Sequence, residues 1–99
     1  MLIRNACIAG HACLTDLRLM HGRVQEIGVG LQKGLYESGI DLSGDELRPC
    51  MAEDPLPPRI RRRLTALPQT AHIVPGTPAP LVRCRAGQMI AVIDEHAAD

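Results

Sequence analysis

Four histidines and four cysteines are the side chains best able to bind a metal or attack a substrate in this 99-residue chain, and their spacing argues against both. His11, His21, His72 and His96 are never two or four positions apart, the separations that set two imidazoles on one face of a strand or helix. Cys7, Cys13, Cys50 and Cys84 contain no Cys-X-X-Cys pair, so neither a zinc ribbon nor a dithiol redox motif is written here, and buried free thiols are expected. A thiol nucleophile needs an imidazole beside it; Cys84, in a strand, and Cys50, expected in an exposed loop, are the two to consider. Asp41, Asp45, Glu46, Glu53 and Asp54 cluster in sequence, and beside loops they are expected to be solvated rather than split into a general acid and a general base. Gly28-X-Gly30 lacks the third glycine of a dinucleotide-binding loop. No catalytic, cofactor-binding or metal-ligating residue is therefore assigned, and no cofactor is expected.

Any such residue would have to be held by one small domain, 1–99, because a chain of this length has room for a single core. Leu, Ile and Val supply that core without help from Phe or Trp, and Tyr36 is the only aromatic residue, so there is no row of rings on which bases or sugars could stack. Eleven basic and eleven acidic side chains cancel, leaving no field to hold a phosphate backbone or an anionic membrane; nucleic-acid and membrane partners are not expected. Apolar runs are short, and Met1-Leu2-Ile3-Arg4-Asn5 lacks the layout of a signal peptide, which points to the cytoplasm. Arginine outnumbers lysine ten to one, a bias that fits a high-GC bacterial genome.

The hydrophobic pattern predicts a mainly β fold, a small β-sandwich or pseudo-barrel built of hairpins. Leu2 to Gly10 alternates loosely, as a first strand does. In the stretch from Asp16 to Ile27, Leu17, Leu19, Val24 and Ile27 fall on one face, Arg18, Arg23 and Glu26 on the face toward water, and His21-Gly22 at a tight turn. Leu31 to Ser38 allows one or two helical turns or a loop. Gly39 to Leu42 returns to strand, and Ser43-Gly44-Asp45 turns the chain into Glu46-Leu47-Arg48. These are the N-terminal strands, 1–49. The linker, 50–78, is broken by prolines; Pro58 suits the first turn of one short helix from Arg59 to Leu67, with Ile60, Leu64 and Leu67 at helical spacing. The arginines of that helix are expected to be solvated. A C-terminal hairpin, 79–94, follows, with Ala86-Gly87 between Leu81–Arg85 and Gln88–Ile93.

Leu2-Ile3-Arg4-Asn5-Ala6, then Asp16-Leu17-Arg18-Leu19, Gly22-Arg23-Val24 and Glu26-Ile27-Gly28, then Ile40-Asp41-Leu42-Ser43-Gly44 and Leu47-Arg48-Pro49 stand in an order that resembles the opening of an amidohydrolase of the cytosine deaminase and dihydroorotase type. The segment from Leu81 to Ala91 is similar to the closing hairpin of the same family. In that family both segments belong to a small β-sandwich beside a catalytic barrel, and the proline leads into the first barrel strand and its His-X-His metal ligands. Here Pro55-Leu56-Pro57 stands where the two histidines would be, and proline has no lone pair to give a metal.

The resemblance implies an accessory domain whose catalytic barrel is absent, its two halves joined by residues 50–78. It leans against enzymatic activity and toward a domain that works by association, as a homo-oligomer or with a protein partner. In the parent architecture the sandwich rests on the barrel, so its loss leaves an apolar face and strand edges to be covered. Two alternatives stand beside it: a metal-dependent hydrolase of C–N bonds completed by a partner chain, and a decayed remnant without selected activity.

Overall fold

Two hairpins of the same build organise the chain. The computed structural model describes residues 1–51, 54–55 and 72–94. Strands β2 (Thr15–Met20) and β3 (Arg23–Gly28) are joined by His21-Gly22, whose φ angles of 56° and 74° are the paired positive values of a type I′ turn. Strands β6 (Leu81–Arg85) and β7 (Gln88–Ile93) are joined in the same way by Ala86-Gly87, at 51° and 78°. Each hairpin then carries a β-bulge at the third residue after its turn glycine. Arg18 faces Glu26 while Leu19 faces Val24, leaving Gln25 extra, and Arg83 faces Ala91 while Cys84 faces Met89, leaving Ile90 extra.

Each hairpin gains further strands from the N-terminal half. Strand β1 (Leu2–Ala6) runs antiparallel to β2 and parallel to β4 (Gly39–Asp41), giving a four-stranded sheet in the order β3-β2-β1-β4. Strand β5 (Glu46–Pro49) runs antiparallel to β6 in a three-stranded sheet, β5-β6-β7. Two seams join the sheets. At the first, β1 bends at Asn5 (φ 56°) and Cys7 takes up the start of β5, its amide donating to Asp45 at 3.0 Å and its carbonyl accepting from Leu47 at 3.0 Å. At the second, Val24 of β3 donates to Thr77 at 2.8 Å and accepts from Gly76 at 2.7 Å, and Ala79 donates to Gly22 at 2.9 Å. Residues 76–79, expected as plain linker, are therefore a short cap on the β3 edge. Prolines flanking them hid a ladder that needs only backbone groups.

The expected mainly β fold is observed, as two sheets packed like a small sandwich. Ile3, Ala6, Ile8, Leu17, Leu19 and Val24 meet Leu42, Leu47, Ile73, Leu81 and Ile93 between the sheets. Side chains alternate along β6, so Val82 and Cys84 point to its other face, where with Cys50 they form a second buried cluster flanked by Met89 and Val92. Residues 31–38, open between helix and loop, form a loop with a turn at Leu35-Tyr36. The helix expected over 59–67 lies outside the described residues, as do Glu53 and His96.

Three expectations about side chains are corrected. Cys50 is buried, because β5 carries it directly onto the second cluster, whereas Cys7 and Cys13 are exposed. Arg18 does not simply face water: its guanidinium is held by Glu37, Glu26 and the carbonyl of Gln32. Nor are the central carboxylates uniformly solvated. Asp54 is buried and forms a two-pronged pair with Arg48 at 2.7 and 2.9 Å, and Asp45 bridges Arg83 and Arg85.

Candidate functional site

The charged groups of the two sheets are committed to one another. Asp45, which ends the turn into β5, accepts from Arg83 Nε at 2.7 Å and from Arg85 Nε and Nη2 at 2.9 and 2.8 Å, tying β5 to β6. The hydrogen bonds from Arg85 and then Arg83 hold its carboxyl down at about 2. Arg18 holds the equivalent place in the first hairpin, donating Nε to Glu37 at 2.8 Å; that bond, with the Gly34 amide at 2.9 Å, brings Glu37 down to about 2. Asp54 is lowered in the same direction by Arg48. Groups bound this way serve as cross-braces and are poorly placed to shuttle a proton near neutrality.

These depressed values set a pH dependence. A carboxylate whose folded pKa lies below its unfolded one stabilises the fold above the unfolded value and loses that contribution as pH falls toward the folded one. The thermal midpoint is therefore expected to stay level from pH 7 to pH 5 and to fall between about pH 4.5 and pH 2, with a shallower fall in Asp45→Asn. An unchanged midpoint at pH 2.5 would contradict the pairing.

Among the described residues, no three of His, Cys, Asp and Glu stand close enough together to hold a metal ion. Cys84 and Cys50 share the second cluster, and neither is exposed to a substrate. A cleft of about 410 Å³ opens between β2 and the 31–38 loop, lined by Met1, Arg18, Leu19, Met20, Gln32, Gly34 and Glu37. Its charged side chains, Arg18 and Glu37, are already bonded to each other. Among the described residues no helix is long and apolar enough to cross a membrane.

Among the described residues, the surface group left open is backbone. In a hairpin closed by a two-residue turn, the residues flanking the turn form a hydrogen-bonded pair, and the next pair points its N–H and C=O groups outward. The first hairpin obeys this rule on both sides: Leu19 exchanges bonds with Met1 at 2.8 and 3.0 Å, and Val24 exchanges bonds with Gly76 and Thr77. In the second hairpin the residue equivalent to Val24 is Met89, and beyond the bulge Val92 repeats its orientation. Among the described residues β7 has a ladder partner, β6, on one side only. Its six residues, Gln88-Met89-Ile90-Ala91-Val92-Ile93, include no charge and no proline, and Ile90 is 46% exposed. Strand β3, whose edge is capped, carries Arg23 and Glu26 instead. Sequence reading identified β7 as a strand but not as a strand paired on one side among the described residues, because that depends on what lies on its far side.

No protein-family model, curated protein or solved structure matches the chain.

Proposed function

We propose that this chain is a non-catalytic β domain, related to the accessory sandwich of amidohydrolases, that works by associating with protein. The observation carrying this reading is the uncharged edge of β7, which has no ladder partner other than β6 among the described residues. Solvent-exposed edges in monomeric proteins are usually blunted by charge, proline or a covering segment, since bare N–H and C=O groups template pairing with another chain. The bulge at Ile90 is the one such device on β7, and it is also present on β3, which is capped as well. The cross-braced arginines and carboxylates fit the same reading, because they stiffen the two sheets that present this edge.

Native mass spectrometry and sedimentation velocity of the full chain at micromolar concentration test the proposal together. An assembly larger than one chain, or a protein partner retained on gentle purification, is expected. A chain that is strictly monomeric and partner-free at that concentration would overturn it, and a stoichiometric bound zinc, iron or manganese would replace it with a metal-dependent activity.

A further inference from the structure

Resting on that reading, we infer that the occupant of the β7 edge is the β7 strand of a second copy, paired antiparallel about a two-fold axis between Ile90 and Ala91. The placement follows from the outward groups. Met89 and Val92 are the β7 residues whose N–H and C=O point away from β6, and they lie equally far on either side of the Ile90–Ala91 midpoint. A two-fold axis at that midpoint sets Met89 of each copy against Val92 of the other, so both outward pairs are satisfied at once. Any other antiparallel register of β7 with itself leaves at least one of these pairs unmatched.

The side chains agree with the backbone. Met89 and Val92 lie on the face that carries Val82, Cys84 and Cys50, half-buried against that cluster. Pairing in this register places Met89 of one copy beside Val92 of the other and makes the two clusters one continuous apolar layer beneath a six-stranded sheet. No like charges meet, since the strand has none. The first hairpin supplies the internal precedent: the residue equivalent to Met89, Val24, has the same outward groups, and there the chain itself provides the added strand through Gly76 and Thr77. Among the described residues the second hairpin leaves the same requirement unfilled, and its strand composition suits self-pairing.

The test uses Ile90→Lys, an exposed position whose substitution leaves both cores intact, with Val29→Lys as a control at an exposed site outside β7. The two-fold axis counts the change twice, so the dimer dissociation constant is expected to rise about 100-fold in Ile90→Lys, tenfold for each copy, and to stay unchanged in Val29→Lys. Amide exchange on the unsubstituted chain supplies an independent readout: Met89 and Val92 should become protected as concentration rises through the dimer range, while Val24 should be protected at every concentration. A dimer that survives Ile90→Lys with β7 amides still exchanging would overturn this interface and leave the association reading standing. A different protein found bound along β7 would overturn the second copy as occupant. A chain monomeric at all concentrations would overturn the second copy as occupant, and one that also retains no protein partner would overturn both.

Discussion

Replacing Leu19 with alanine is expected to lower the unfolding free energy by about 3 kcal/mol, within the range that Leu→Ala substitutions show in well-packed cores. Leu19 is fully buried, and its backbone is hydrogen-bonded to Met1 on one side while it faces Val24 in the β2–β3 ladder on the other. The surroundings are therefore fixed by backbone bonds and have little freedom to collapse into the space left behind. For a domain of this size, whose whole stability is of the order of 5–15 kcal/mol, the loss is large. Urea unfolding should show the midpoint shift with an unchanged slope. Met20→Ala, one residue along and 39% exposed, should cost under about 1 kcal/mol. Equal costs at the two positions would mean that β2 does not present Leu19 to the core.

Asp16→Ala is expected to cost about as much, roughly 3–4 kcal/mol, by a different route. Asp16 is buried and accepts three hydrogen bonds, from Arg4 Nη1 at 3.1 Å, from the amide of Asn5 at 3.1 Å and from the amide of Leu31 at 3.0 Å. Asn5 sits at positive φ where β1 bends from one sheet toward the other, so the carboxylate holds the bend itself as well as the loop that follows Gly30. Alanine would leave two amides and a guanidinium with no acceptor. Asn at the same position keeps one oxygen and should recover part of the loss, whereas Asp41→Ala, whose partners Asn5 Nδ2 and the Ser43 amide are exposed, should cost far less. Chemical denaturation of the three variants orders them; similar costs for the Asp16 and Asp41 substitutions would show that Asp16 does not brace the bend.

What could be read in the sequence was local. His21-Gly22 and Ala86-Gly87 mark both turns because a type I′ turn needs two residues at positive φ, and alternation placed Leu17, Leu19 and Val24 on the buried face. What could not be read depends on partners far along the chain. Asp45 meets Arg83 across 38 positions and Arg18 meets Glu37 across 19, so carboxylates that look solvated in sequence become braces only once the sheets are assembled. Cys50 follows a proline and looks like a loop residue, but Pro49 is still in register with Leu81 and delivers it to a buried cluster. The candidate site had the weakest signal of all. The same hairpin is written twice, and among the described residues it is the cap at Val24 that distinguishes the first edge from the second.

That cap also fixes an order of events. Arg23 and Gly76, which it brings together, are separated by 53 positions, and closing a loop of that length costs about 3.5 kcal/mol of chain entropy beyond the constant term, while each two-residue hairpin closes almost for free. Both hairpins can form within microseconds, and the clasp over β3 must wait until the sheets have met. During that interval the β3 edge is bare as well as the β7 edge. Crowded synthesis therefore exposes β3 of one nascent chain to β7 of another, and the charges on β3, Arg23 and Glu26, stand where they would disfavour that mismatched pairing before the clasp shuts.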